Sequence, residues 1–200
     1  MLHGQPVTGA QPLGVDAADA ELLTNMLLWS GARISEIAGL RVQDIEERDG
    51  ILAAYIRRET TKEDASVRWL PIATAIQPMV SAHAQRRREE GSEALFPSFH
   101  KRARTTPGDL AGRWFREHRE RLGLPKGGLH GSHRWRHTVR TKLASEGLGE
   151  ALLDAVTGHK ATGGSAGRKN YTHLSKFPLA KVLEAIERLA WPWPRLRDFA

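Results

Sequence analysis

The sequence lacks cysteine altogether, and this absence excludes several kinds of chemistry at once. Among its 200 residues no disulfide, thiolate metal site or cysteine nucleophile is available. Long apolar runs are missing as well. No stretch approaches the length of a membrane span, and the first 14 residues hold no apolar core of a signal peptide. We therefore expect no membrane partner and a cytoplasmic location.

Acidic residues are scarce in one part of the chain, which gives the positive charge a location. The formal net charge is +7. From Lys101 to Arg140, eleven Lys and Arg against three acids give a charge of +8, so the remaining residues sum to −1. Such a block favours binding to a polyanion such as DNA or RNA. A solvated helix face is the alternative interpretation.

Apolar spacing predicts a mainly α domain with a small antiparallel β-sheet (α+β). Helices are predicted over 16–30, 32–40, 73–90 and 109–122. Further helices begin at 133, end at 158 and begin at 178. Two strands, 51–57 and 66–72, flank a polar turn that carries Lys62. Residues 44–50 are predicted to be a turn-rich connection, and residues 1–14 a flexible leader.

The stretch from Ser132 to His173 holds most of the residues suited to chemistry. His133, Arg136 and Arg140 share one face of a predicted helix, whose N-terminus also favours a phosphate. A surface helix with basic residues in line is the alternative. Further along, His159 projects from the turn after a helix, or serves only as a partner of the helix dipole.

Tyr171, one of only two tyrosines, follows a Gly-rich basic segment. Such a tether suits a nucleophile that must reach a DNA backbone, whereas a half-buried loop aromatic is the alternative. In the first half of the chain, Arg33 and Glu36 form by themselves an ordinary helical ion pair, and Lys62 by itself is a solvated lysine. These residues indicate a function only when they are taken together.

The set, in its order along the chain, resembles the tyrosine recombinase (phage integrase) family over roughly residues 20 to 175. Its members are ARISE, a hairpin lysine ahead of RWLPI, HRWRHT, TGH and a closely following tyrosine. The resemblance implies six catalytic residues, which are Arg33, Lys62, His133, Arg136, His159 and Tyr171. It also implies that Glu36 supports the first arginine. The gap before the tyrosine is longer than usual, and the family's N-terminal helical domain has no counterpart here, so we expect a catalytic domain alone.

The family reaction is DNA strand cleavage and rejoining through a 3′-phosphotyrosine, with no metal and no cofactor. The resemblance implies that the partners are double-stranded DNA, other copies of the chain in a tetramer, and accessory DNA-bending proteins, in a bacterial or phage setting. The expected DNA contacts are Lys101, Arg102, Arg104, Arg134 and Arg140. A type IB topoisomerase and a non-catalytic DNA-binding remnant are the alternatives.

Three parts of the chain follow from this interpretation. Residues 1–14 are the leader, residues 15–175 the catalytic domain, and residues 176–200 a C-terminal helix and tail. We expect the helix to dock on a neighbouring protomer, as in the family, the alternative being its own core.

Overall fold

The computed structural model describes residues 9–60, 66–100, 104–124, 133–159 and 177–191. The helices in these ranges are α1 (Ala17–Ser30), α2 (Ile34–Ala38), α3 (Gln77–Glu89), α4 (Pro107–Arg121), α5 (His133–Ser145), α6 (Glu150–Thr157) and α7 (Leu179–Glu187). The strands are β1 (Ile45–Arg48), β2 (Ile51–Ile56) and β3 (Arg68–Pro71), which form one antiparallel sheet in the order β1-β2-β3. The predicted fold class is confirmed.

Helix α1 is the central element of the core, and its two ends are defined by local chemistry. Asp16 caps its start, where Oδ1 accepts hydrogen bonds from Ala18 N at 2.9 Å and Asp19 N at 3.2 Å. Gly31 ends it in the left-handed conformation with φ 61°. The helix packs against α2, α3 and α5. Because α1 is buried on several sides, its C-terminal end lies inside the molecule.

The sheet has three strands, one more than the sequence analysis predicts. Residues 45–48 form β1 rather than a turn, and Arg48 pairs with Ile51 across a two-residue loop. Asp49 and Gly50 in that loop have φ of 53° and 73°, as a hairpin turn of type I′ requires. Asp-Gly is the strongest short sequence signal for such a hairpin. Three of the four β1 residues are exposed, so β1 lacks the apolar alternation of a half-buried strand.

An aromatic cluster fills the core beside α4. Trp114 and Phe99 are fully buried with ring centroids 6.1 Å apart, and Phe96 lies 6.4 Å from Phe99. Helix α4 also packs closely on α2, where a Cβ added to Gly108 would stand 2.6 Å from Ser35 Cβ. This contact fixes α2, and with it the ARISE segment, against the core.

The two ends of the chain can be compared with what the sequence suggests. Of the proposed flexible leader, the described residues include Gln11 and Pro12, which are buried, and the turn Pro12–Gly14 packs against α4. Arg121 Nη1 also donates a hydrogen bond to the Ala10 carbonyl at 3.0 Å. Residues 1–8 lie outside the described residues.

The apolar face of α7 is covered by this chain's own core, not left open for a neighbouring protomer. Val182, Ala185 and Ile186 are buried against β3 and α6. Just beyond the helix, Lys142 Nζ donates to the Ala190 carbonyl at 2.9 Å and lies 5.1 Å from the centre of the Trp191 ring. The helix therefore docks in cis. In the described part of the chain, no helix combines the length and the apolar character that a membrane crossing needs.

A buried polar cluster around Asp19 ties the start of α1 to α3. Asp19 is fully buried and accepts hydrogen bonds from Arg87 Nη2 at 2.5 Å and Ser98 N at 3.0 Å, while His83 Nε2 lies 3.1 Å away. Burial by itself raises the pKa of Asp19, but these hydrogen bonds outweigh it and hold the pKa below its ordinary value of 3.8.

We expect Asp19→Asn to lower the free energy of unfolding by about 3 kcal/mol, because it removes the buried counter-charge of Arg87 and leaves this guanidinium only the half-exposed Glu90. Asp16→Asn in the same helix keeps the cap and should cost less than about 0.5 kcal/mol. Urea denaturation followed by circular dichroism measures both. Since Asp19 has a lowered pKa in the folded state, its stabilisation is present above pH 3.8 and is lost as the pH falls through its folded pKa. Equal losses in the two variants at pH 7 would contradict this account.

Candidate active site

Three of the predicted catalytic residues lie together at the buried end of α1. Arg33 immediately precedes α2, Arg136 lies in the first turn of α5, and His159 follows α6. Both arginines donate to backbone carbonyls of the turns that end α1 and α6. The fold thus joins side chains that are far apart in the sequence.

The other predicted residues are placed less closely or lie outside the described ranges. His133 and Arg134 are exposed at the start of α5, and Arg104 is exposed ahead of α4. Four predicted residues are not among those described, and these are Lys62, Lys101, Arg102 and Tyr171.

Arg33 is held by the capping box of α2. Its backbone N donates to Glu36 Oε2 at 3.0 Å, and its Nη1 donates to Glu36 Oε1 at 2.7 Å. The same Nη1 also reaches Ser66 Oγ at 2.9 Å and the Gly158 carbonyl at 3.3 Å. The side chain retains 19% exposure, so the guanidinium is anchored on one side and accessible on the other.

Arg68 is a member of this site that the sequence analysis misses. It lies on β3, is buried, and donates from Nη2 to Glu36 Oε2 at 3.2 Å. Burial alone raises the pKa of Glu36, but the charge of Arg68 and the hydrogen bonds from Arg33 lower it below its ordinary value. Arg68 is in phase with buried Leu70 on the strand. An arginine on the inward face of a strand requires a buried partner, and that was the available signal.

Gly158 brings α6 close to Arg68. The residue has φ 68°, and a Cβ placed on it would collide with Arg68 Nη1. Its carbonyl accepts hydrogen bonds from Arg33 Nη1 and, at 3.0 Å, from Ser66 Oγ. Glycine is therefore needed here both for the left-handed conformation and for the close approach.

Arg136 is buried, and three of its polar contacts fix its plane. Its Nη1 donates to the Gly31 carbonyl at 3.0 Å and to the Thr157 carbonyl, and its Nε donates to His159 Nε2 at 3.3 Å. Its Nη2 is buried and makes no hydrogen bond with any described residue. Burial first, and then repulsion by Arg33, lowers the pKa of Arg136 to about 9. The group still carries its charge at pH 7.

His159 lies between Arg136 and Arg140. Its Nδ1 is 2.9 Å from Thr157 Oγ1 and 3.3 Å from Arg140 Nη1. Burial, followed by repulsion from Arg136 and Arg140, lowers the pKa of His159 to about 4. The imidazole is therefore neutral at pH 7.

Arg140 is one of the predicted DNA contacts, but its guanidinium is engaged inside this site. Nη1 lies 2.8 Å from Asp154 Oδ1, and Nη2 forms an ion pair with Glu150. Burial by itself raises the pKa of Asp154, and the net pKa is above its ordinary value although Arg140 opposes the change. Arg140 contacts His159 and Thr157 as well, so it connects the acids of α6 to the imidazole.

The assembled site is an anion site with two incompletely paired donor groups. Arg33, Arg68 and Arg136 lie around the fully buried carboxylate of Glu36, and Arg68 Nε and Arg136 Nη2 have no partner among the described residues. Guanidinium groups bind phosphate and carboxylate oxygens through paired donors. The geometry is suited to an oxyanion with several acceptor oxygens, such as a phosphodiester.

Comparisons with known proteins concern the family and the fold of the chain. A model of the phage integrase family matches residues 10–176. The crystal structure of XerA recombinase matches with 17% identity and a TM-score of 0.53, covering 91% of this chain and 55% of that chain. XerH site-specific recombinase bound to difH substrate, in a pre-cleavage complex, matches with 18% identity and a TM-score of 0.49, covering 82% of this chain and 44% of that chain. The chain thus spans about half the length of these recombinases, and none of the curated proteins gives a significant match.

We expect inorganic phosphate to raise the melting temperature, because it binds the folded arginine site. The free energy of unfolding rises by about 2.7 kcal/mol when the phosphate concentration is 100-fold above its Kd. Arg136→Gln should lose most of this response. Arg87→Gln also removes a buried guanidinium, but this group lies beside Asp19 at the opposite end of α1. This variant should therefore keep the response to phosphate. Differential scanning fluorimetry against sodium chloride of equal ionic strength measures the shift. A response that Arg136→Gln leaves intact would place the phosphate elsewhere.

Proposed function

The chain belongs to the phage integrase family, and on that basis we propose that it is the catalytic domain of a site-specific recombinase that cleaves and rejoins DNA strands through a 3′-phosphotyrosyl intermediate. We assign this domain to residues 15–175, as the sequence suggests. Its location would be that of its DNA substrate, the bacterial cytoplasm or nucleoid.

The observation that supports this function most strongly is the convergence of Arg33 and Arg136 on the ends of α1 and α6. Arg33 keeps an accessible edge, and Arg136 offers Nη2, which has no partner among the described residues. Two guanidinium forks can bind the two non-bridging oxygens of one phosphodiester. Negative charge on these oxygens grows in the transition state, and fixed donors that meet it are worth about 3 kcal/mol each.

Tyr171 is the proposed nucleophile. Its Oη attacks phosphorus, the new P–O bond forms, and the bond to the 5′-oxygen breaks. Its unperturbed pKa is about 10, so a base must take the proton, and we assign this role to His133. We assign to Lys62 the protonation of the leaving 5′-oxygen. Tyr171 and Lys62 lie outside the described residues, so both assignments rest on the family motif.

The proposed reaction is metal-independent, because guanidinium groups supply the charge that a cation would otherwise provide. The ester bond to tyrosine retains the free energy of the broken phosphodiester, so the 5′-hydroxyl of a second strand can reverse the step. Strand exchange between two duplexes needs several active sites, and we propose a tetramer on DNA, with accessory DNA-bending proteins as further partners.

The proposed DNA-binding surface is the basic block from Lys101 to Arg140. Within it, Arg104 and Arg134 are exposed. We also assign Lys101 and Arg102 to DNA binding. These side chains would contact phosphates and so contribute affinity more than sequence preference.

We expect a covalent protein–DNA adduct that depends on Tyr171. A pool of nicked duplexes with random sequence on both sides of the nick would trap the adduct. The short fragment between the cleavage position and the nick diffuses away after cleavage, so its 5′-hydroxyl cannot reverse the step. SDS gels detect the adduct, and sequencing of the captured DNA identifies the preferred site. Tyr171→Phe should abolish the adduct completely.

The chain provides a matched control in its second tyrosine. Tyr55 lies on β2 with its ring centroid 4.8 Å from that of Trp69, and Tyr55→Phe should leave the adduct unchanged. An adduct that survives Tyr171→Phe would refute the assignment of the nucleophile. Rapid relaxation of supercoiled plasmid without sequence preference would instead indicate a type IB topoisomerase, and DNA binding without any adduct a non-catalytic remnant.

A further inference from the structure

A chain of hydrogen bonds runs from Arg136 through His159 into helix α6. Arg136 Nε is 3.3 Å from His159 Nε2, and His159 Nδ1 is 2.9 Å from Thr157 Oγ1. Thr157 Oγ1 in turn is 2.7 Å from the Leu153 carbonyl. Both nitrogens of the imidazole are thus engaged, and each link permits only certain proton positions.

The proton positions follow from the two ends of this chain. A guanidinium only donates, so His159 Nε2 must accept from Arg136 Nε and carries no proton. In the neutral ring the proton is then on Nδ1, which donates to Thr157 Oγ1. The Leu153 carbonyl only accepts, so the Thr157 hydroxyl donates to it. Each donor in this chain of hydrogen bonds then faces an acceptor. In the other tautomer the N–H of His159 Nε2 would face the N–H of Arg136 Nε.

Arg140 competes for the imidazole. Its Nη1 lies 3.3 Å from His159 Nδ1, and a bond there would require the opposite tautomer. The same Nη1 lies 2.8 Å from Asp154 Oδ1 and 3.3 Å from Thr157 Oγ1, so Thr157 supplies the acceptor that keeps its second hydrogen off the imidazole. Thr157 Oγ1 then accepts from both His159 and Arg140 while it donates to Leu153, which uses its full capacity. Thr157 is fully buried, so water does not compete for these bonds.

We propose that Thr157 is a positioning residue that holds His159 as the Nδ1–H tautomer, with the lone pair of Nε2 facing Arg136. His159 then orients the Arg136 guanidinium, whose buried Nη2 has no partner among the described residues and is the donor that we assign to a phosphate oxygen. Thr157 selects between the two arginine contacts of the imidazole, and the effect of the resulting tautomer on the reaction rests on the proposed function.

The competing explanation for Thr157 is a purely structural one, because its bond to Leu153 is an ordinary hydroxyl-to-carbonyl bond within a helix. Thr24 in α1 provides the matched control. It is buried, and its Oγ1 donates to the Ala20 carbonyl at 2.8 Å, the same bond over the same spacing. Thr24→Val and Thr157→Val therefore lose the same helical bond, and only the second changes the environment of His159.

The tautomer can be measured in the chain without DNA by long-range ¹H–¹⁵N NMR on histidine-labelled protein at pH 7, with His159→Gln assigning its signal among the nine histidines. We expect a protonated Nδ1 and an unprotonated Nε2. Thr157→Val should add the Nε2–H form, whereas Thr24→Val and Thr157→Ser should keep the wild-type pattern. A protonated Nε2 in the wild type, or an unchanged pattern in Thr157→Val, would overturn the proposal. If Thr157→Val does not fold, Thr157→Ala, which also lacks the hydroxyl, takes its place with the same expected result.

The effect on the reaction has a separate readout. With the duplex recovered by covalent capture, Thr157→Val should slow adduct formation by about 10-fold or more, since a misplacement of about 1 Å can cost 100-fold. Thr24→Val should not change the rate. Equal rates in Thr157→Val and the wild type, with the tautomer altered, would refute the catalytic role of the tautomer. Absence of any wild-type adduct would refute the proposed function and leave the NMR result standing.

Discussion

The carboxylate of Glu36 is the interaction on which the rest of the site depends. It is fully buried, and it accepts hydrogen bonds from the backbone and side chain of Arg33 and from Arg68. Removal of one partner from such a buried group costs about 3–5 kcal/mol, because a charge is left unpaired in the interior. Arg33 therefore keeps one orientation without DNA, and the ordering of this long side chain takes place when the protein folds.

Two glycines in the left-handed conformation bring backbone carbonyls close to the arginines of the site. Gly31 ends α1 and Gly158 ends α6, and the carbonyls around them accept hydrogen bonds from Arg33 and Arg136. Helix C-termini carry partial negative charge, which stabilises the guanidinium groups in the absence of an anion. The backbone carbonyls engage Nη1 of both arginines, while Arg136 Nη2 is buried without a partner among the described residues.

Local signals predicted most of the helices, whereas long-range pairings were not predictable. The helix bounds 16–30 and the helix end at 158 follow from residue type and spacing, and the structure has α1 at Ala17–Ser30 and the end of α6 at Thr157. The family resemblance, not a local signal, grouped Arg33, Arg136 and His159. The sequence analysis missed strand β1 because three of its four residues are charged, although the dipeptide Asp49-Gly50 indicates a hairpin. The pairing of Arg68 with Glu36 spans 32 residues and depends on the register of β3, which no local pattern specifies. For the same reason Arg140 was assigned to DNA and not to the environment of His159.

The most direct test of this account compares two buried carboxylates of the same kind. Glu36 and Asp44 each complete a capping box and each bind an arginine, Arg33 and Arg57 respectively, but only Glu36 belongs to the site. Both Glu36→Gln and Asp44→Asn should lower stability by a similar amount. At a temperature where both variants are folded, the account predicts that Glu36→Gln slows formation of the covalent DNA adduct by about 100-fold, because Arg33 loses its orientation, and that Asp44→Asn leaves the rate unchanged. Equal rates in the two variants would contradict it.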